Sequence, residues 1–302
     1  MKIEKLYPVC KDYLWGGNQL KELYHKMTDQ TPCAESWELS FHTDGKTCLE
    51  NGKTLEESVT AQELGEKASA FTFFPTLIKF IDAKDNLSVQ VHPSDEYALK
   101  NENSYGKTET WYIVSAEQGA GIYLGFNKDV SEEEFALAIQ ENRLTELLNF
   151  YPVQAGECYF IPSGTIHAIG AGCLIYEIQQ NSNITYRVYD YGRVDKNGNP
   201  RELHVKKALA VTSREKFTAQ VRKAKDNQLL AECAYFSVRS LFIAGERTLR
   251  ADKDSFLCLT CVQGEGKIDG QSAKQGDSFF VPADYGNFSV DGDMLLLQTK
   301  IQ

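Results

Sequence analysis

Apolar, aromatic and β-branched residues gather in short strand-like runs at 77–80, 87–91, 110–114, 121–124, 157–161, 173–179 and 184–191. Brief β-rich runs separated by Gly and Asp turns predict a sandwich or barrel. Helical periodicity is rarer. Its clearest stretch is 131–150, where Ser131 and Glu134 have capping-box spacing ahead of Phe135, Leu137, Ile139, Leu144, Leu147 and Leu148. Shorter helical patterns lie at 19–27 and 205–212, and the apolar residues of all three read as core contacts.

Two strand-like runs carry polar residues of an unusual kind. In Leu87-Ser-Val-Gln-Val-His92-Pro93 the alternation places Ser88, Gln90 and His92 on one face and Leu87, Val89 and Val91 on the other. A solvent-facing row favours Lys, Glu and Thr, whereas Gln and His two apart present two neutral ligands about 7 Å apart. Pro93 stops the strand. In Gly156-Glu-Cys-Tyr-Phe-Ile-Pro162-Ser-Gly164-Thr-Ile-His167, a strand leads into a turn that Pro162 and Gly164 force, and His167 follows on what reads as a loop. Alone, such a histidine reads as a surface or hydrogen-bonded residue. The run after Gly106 sets Lys107, Glu109 and Trp111 on a common face, so that Glu109 is either a carboxylate ligand or a surface acid paired with Lys107. Together Gln90, His92, Glu109 and His167 offer two imidazoles, one carboxylate and one amide oxygen. Without a thiolate that set favours zinc, with manganese, cobalt, nickel and iron also compatible.

The strand and turn occur twice. Gly276-Asp-Ser-Phe-Phe-Val-Pro282-Ala matches Gly156 to Ser163 in character, and Asn287 stands where the first copy has His167. The carboxy-terminal unit is therefore expected to share the fold without the metal. A Lys-, Arg-, Gln- and Ala-rich stretch at 213–232 reads as the connection, which gives a metal-binding domain over 1–215 and a second domain over 216–302.

At 302 residues the chain exceeds what one core usually fills, so two domains or one elaborated domain are expected, and 42% hydrophobic with 25% charged residues is an ordinary globular composition. The net charge of −10 disfavours nucleic acid and anionic membrane as partners, and an anionic small molecule would need a local basic pocket. No window has the length and apolarity of a membrane span, and the opening lacks a signal-peptide core, so a cytoplasmic location is expected. The eight cysteines then read as reduced thiols; Cys258 and Cys261, three apart on a strand, point to opposite faces.

The Gly-x5-Pro-x-Gly-x2-His pattern at 156–167 resembles the second cupin motif, with Ala171 where that motif ends in Asn. More specifically the chain resembles the short bacterial type I phosphomannose isomerases along essentially its whole length. The resemblance rests on Ala34-Glu-Ser-Trp37, Phe74-Pro-Thr-Leu-Ile-Lys79, Leu87 to Pro93, Gly106-Lys-Thr-Glu109, Ile161 to Ala168, and Glu177 to Asn183 followed by Arg187. It implies a mainly β fold of two cupin jelly-roll domains with a few peripheral helices. It implies one Zn2+ per chain on Gln90, His92, Glu109 and His167, active-site roles for Lys107, Glu177 and Arg187, and phosphate binding near Lys79 and Ser88. Lys79 reads equally as a strand-end lysine reaching for water.

The reaction so implied interconverts mannose 6-phosphate and fructose 6-phosphate through a metal-stabilised enediolate, with a phosphosugar as partner. Glu177 could move the proton, or orient a hydroxyl, or hold Arg187, with a metal-bound hydroxide or a histidine as base instead. Tyr186, Tyr189 and Tyr191 could stack on the sugar or pack in the fold. Two other readings are a cupin iron oxygenase, which Gln90 as a fourth ligand opposes, and a non-catalytic sugar-binding or regulatory cupin.

Overall fold

A computed structural model of the chain describes residues 2–194 and 198–302. The chain is mainly β and forms two compact units. One comprises Met1–Asp12, Asn18–Phe80 and Arg222–Gln302, the other Tyr13–Gly17 and Ile81–Val221. The later strands thus begin close to the stretch read as a connection, while most of the first eighty residues cluster with them.

In the unit containing the chain's end, an antiparallel sheet runs in the order Glu4–Leu6, Ser278–Val281, Leu257–Ile268, Gly286–Lys300, Ser237–Ala244, Gln228–Glu232. Leu257, Leu259 and Cys261, two apart on one strand, join Met294, Leu296, Phe279, Val281, Phe288 and Val290 in one core. Its interior is filled by hydrocarbon and thiol. Cys258 and Cys261 are both buried and free.

In the other unit a five-stranded antiparallel sheet has the order Tyr186–Tyr189, Val89–Val91, His167–Ile169, Gly121–Phe126, Leu148–Pro152. The strands Glu157–Ile161, Glu109–Ala116 and Cys173–Gln180 lie side by side, with Glu109–Ala116 in the middle. Helices Glu132–Gln140 and Val205–Val211 cover one face of the five-stranded sheet, packing Phe135, Ala138, Ile139 and Ala208 with Val89, Val91, Ala168, Tyr186 and Val188. Burying Phe135 alone stabilises the unit by about 1.5–3 kcal/mol. Because Val89 and Val91 face the helices, Gln90 must face the other way.

The helix expected over 131–150 is shorter. Ser131 accepts the Glu134 N–H at 3.1 Å, but the Glu134 carboxylate pairs with Lys128 and does not close a box. The helix ends at Gln140, Asn142 is left-handed at φ 57°, and a 3₁₀ turn Leu144–Leu147 leads into the strand Leu148–Pro152. Leu144, Leu147 and Leu148 still enter the same core, so their spacing recorded burial and not an unbroken helix. The pattern at 19–27 likewise yields only Gln19–Glu22, and the residue after Tyr24, His25, is left-handed.

Both copies of the strand and turn form. Glu157–Ile161 follows Gly156 at φ 87°, and Ser278–Val281 follows Gly276 at φ 94°. The next left-handed position is Gly164 in the first copy and Asp284 in the second. The second copy then adds another, Gly286 at φ 83°, which changes the phase of the alternation: Asn287 is exposed and Phe288 is buried. Asn287 is equivalent to His167 by count along the chain, but it points outward.

Candidate metal centre

The centre is built entirely within one unit. Arg187, Gln90 and His167 form a cross-strand row, with Arg187 opposite Gln90 and Gln90 opposite His167. His167 is not on a loop, as its place after the turn suggested. It opens the strand His167–Ile169, because the turn through Gly164 ends sooner than the loop read from sequence. His92 lies just past Val89–Val91, where its carbonyl accepts the Gly164 N–H at 2.8 Å and ties strand end to turn. Glu109 opens the central strand, opposite Gln179 and Ile161.

Hydrogen bonds fix both imidazoles. His92 Nδ1 lies 2.7 Å from the Ile184 carbonyl and His167 Nδ1 lies 2.8 Å from the Thr165 carbonyl. A carbonyl only accepts, so each Nδ1 carries the proton and each neutral ring presents the Nε2 lone pair. Those lone pairs converge: His92 Nε2 is 3.5 Å from Glu109 Oε2, His167 Nε2 is 3.4 Å from Glu109 Oε1, and the three ligand atoms lie within 4.8 Å of one another. The Gln90 amide reaches within 3.4 Å of His167 Nε2.

Glu109 is fully buried, which removes the surface-acid reading, and neither of its oxygens accepts a well-formed hydrogen bond. Buried carboxylate oxygens without donors are costly unless a cation answers them. The Lys107 ammonium does so in part, 2.7 Å from Glu109 Oε2, 3.2 Å from His92 Nε2 and 3.8 Å from Glu177 Oε1. Burial, followed by the Glu177 charge, pushes the Glu109 carboxyl up to about 8, while Lys107 pulls it back. Burial pushes His167 down to about 4, which keeps the ring in its neutral, metal-binding form. The donor set, its burial and carboxylate oxygens that Lys107 answers only in part fit a divalent cation.

Glu177 lies across from Trp111, whose indole N–H donates to its Oε1 at 2.9 Å. Arg187 Nε donates to Ser88 Oγ at 3.2 Å and its Nη1 to the Glu202 carbonyl at 3.1 Å, so Ser88 and Arg187 form a pair beside Gln90. Burial lowers the Arg187 pKa from its ordinary value, and neighbouring Arg201 adds to this. Lys79 lies in the strand Thr76–Ala83 and belongs to the other unit, where its ammonium is 3.4 Å from Glu35 Oε1; it is buried, not reaching for water. Tyr186 packs under the helices and donates to Glu102 at 2.7 Å, on the face away from the ligands. Tyr189 packs against the same cluster and stands 4.8 Å from the Tyr191 ring. The sequence reading gave Trp111 no role, and its contact with Glu177 spans 66 residues. Only its place on the Lys107 and Glu109 face hinted at one.

Comparison with known proteins points to one family. Residues 3–121 match the family model for the phosphomannose isomerase type I catalytic domain, and 226–300 match that for the mannose-6-phosphate isomerase cupin domain. The chain is 38% identical to mannose-6-phosphate isomerase ManA of Bacillus subtilis over 311 residues, covering 97% of each. It is 34% identical to mannose-6-phosphate isomerase of Streptococcus mutans, covering 94% of this chain and 93% of that one. The crystal structure of mannose 6-phosphate isomerase from Bacillus subtilis superposes with a TM-score of 0.88 at 33% identity, covering 99% of both chains.

Proposed function

This chain belongs to the type I phosphomannose isomerases, and on that premise we propose that its buried centre interconverts mannose 6-phosphate and fructose 6-phosphate with a bound zinc ion. The observation that carries the reading is the convergence of His92 Nε2, His167 Nε2 and the Glu109 carboxylate next to Lys107 and Glu177. The family does not favour an oxygenase or a non-catalytic sugar binder.

His92, Glu109 and His167 would hold the metal, and Gln90 would complete the set once its amide turns to present oxygen; amide oxygen and nitrogen exchange by a simple flip. Nitrogen and oxygen ligands of this kind suit zinc. When bound, the metal supplies the positive charge that steadies the enediolate. All else falls to the chain. Glu177 takes the proton from C2 of the open-chain aldose and returns it to C1, while a second proton passes from the C2 hydroxyl to the C1 oxygen. Lys107 places fixed positive charge beside the developing anion, and burial of the centre strengthens it. Ser88 and Arg187 offer a hydroxyl and a guanidinium to the substrate phosphate, an anion that the acidic chain would otherwise repel. Lys79 stays a phosphate candidate on the resemblance alone. A phosphorylated sugar is a cytoplasmic metabolite, and no helix among the described residues is long and apolar enough to cross a membrane.

The test is a coupled assay for fructose 6-phosphate formed from mannose 6-phosphate by folded, zinc-loaded protein. Turnover supports the reading. Its absence from protein carrying one zinc per chain defeats it.

A further inference from the structure

Trp111 touches two members of the centre at once. Its indole N–H donates to Glu177 Oε1 at 2.9 Å, and its ring stands edge-on to the His167 imidazole, with centroids 5.3 Å apart and an interplanar angle of 86°. The side chain is fully buried, across from Glu177 on one neighbouring strand and from Tyr159 on the other. A phenylalanine would fill much of the same space, and a buried indole N–H is costly unless bonded. Here the acceptor is a carboxylate, which makes the bond a strong one.

We propose that Trp111 is a positioning residue whose single rigid ring fixes the Glu177 carboxylate and the His167 imidazole relative to each other, and so sets the spacing between the metal ligand and the group that moves the proton. Lys107 cannot set that spacing. Its ammonium is 3.8 Å from Glu177 and already committed to Glu109 at 2.7 Å, at the end of a flexible stem. Tryptophan has two side-chain torsions, and both of its contacts lie on the same bicycle, so one rigid group meets both partners. The role assigned to Glu177 rests on the isomerase reading; the contact itself does not.

The experiment replaces Trp111 with benzothienylalanine, which exchanges the indole N–H for sulfur and keeps the shape, and compares it with Trp111→Leu. The isosteric variant is expected to keep its zinc and a KM within about twofold of wild type while kcat falls roughly 10- to 100-fold, the cost of a misaligned group. Trp111→Leu should also weaken zinc binding about tenfold, since His167 keeps its Thr165 bond but loses the ring beside it. Should the leucine variant fail to fold, the isosteric one decides. An unchanged kcat in that variant, or a loss carried wholly by KM, overturns the proposal. The chain has three tryptophans, so one of three indole N–H resonances in the 15N-labelled protein should move in Glu177→Gln. If none moves, the contact is refuted whatever the activity. If one moves while wild-type protein shows no turnover, the isomerase reading falls and the contact stands.

Discussion

The stretches Gly156–His167 and Gly276–Asn287 are two copies of one strand and turn with opposite contents. Both have a left-handed glycine before the strand and a left-handed residue in the turn. After the first, a histidine 1% exposed enters an interior that also holds Glu109, Lys107, His92 and Glu177. After the second, Phe288 enters a core of Leu, Ile, Val, Phe and Met, and Asn287 faces water. The difference teaches that the barrel frame requires only filling, by hydrocarbon or by mutually neutralising polar groups. The polar filling demands far more of its surroundings. Each imidazole needs a carbonyl, and Glu109 needs a cation.

The largest expected effect breaks the first copy's distinction. His92→Ala should remove the bound metal and lower isomerase activity by more than about 10³-fold, measured by metal analysis beside the coupled assay. Stoichiometric metal in that variant would deny that the two interiors differ in kind. A second prediction concerns pH. The folded Glu109 carboxyl lies at about 8, above the 4.5 of an exposed one, so the metal-free fold holds a proton that the unfolded chain has lost between those values. Its stabilising contribution is present below about 4.5 and is lost as pH rises through 8. His167 acts in the opposite sense: with its folded value at about 4 against 6.5, stability is lost as pH falls through that range. Metal binding must displace the Glu109 proton, so zinc affinity in chelator competition should rise about tenfold per pH unit up to 8 and then level off. An affinity flat from pH 6 to 8 contradicts it. The smallest effect sharpens the comparison from the other side. Asn287→His should gain no metal and change unfolding free energy by less than about 0.5 kcal/mol, because that side chain is exposed.

Legibility in the sequence followed the range of the forces involved. The row Ser88, Gln90 and His92 could be read because alternation and Pro93 are local. So could the repeat, since Gly and Pro impose backbone geometry wherever they stand. The outward turn of Asn287 could not: one further left-handed residue, Gly286, changed the phase, and a count along the chain carries no phase. The helix over 131–150 failed in a related way, since hydrophobic spacing reports which side is buried without reporting where Asn142 interrupts. Trp111 was invisible as a functional residue because its meaning lies in Glu177 and His167, each on a different strand. The clustering of the amino-terminal residues with the carboxy-terminal strands was hidden by distance, with Glu4 paired to Phe280 and the Gln271 amide donating to the Ile3 carbonyl.

That last pairing has a consequence for synthesis. At roughly 5–20 residues per second, a ribosome that has just made Glu4–Leu6 needs tens of seconds to reach Ser278–Val281. Throughout that interval the first strand has its backbone donors and Ile3 but no partner. The side chains proposed for the centre, from Ser88 to Arg187, emerge well before it is paired. Completion of that sheet edge must therefore wait for Ser278–Val281, whatever has already formed in between.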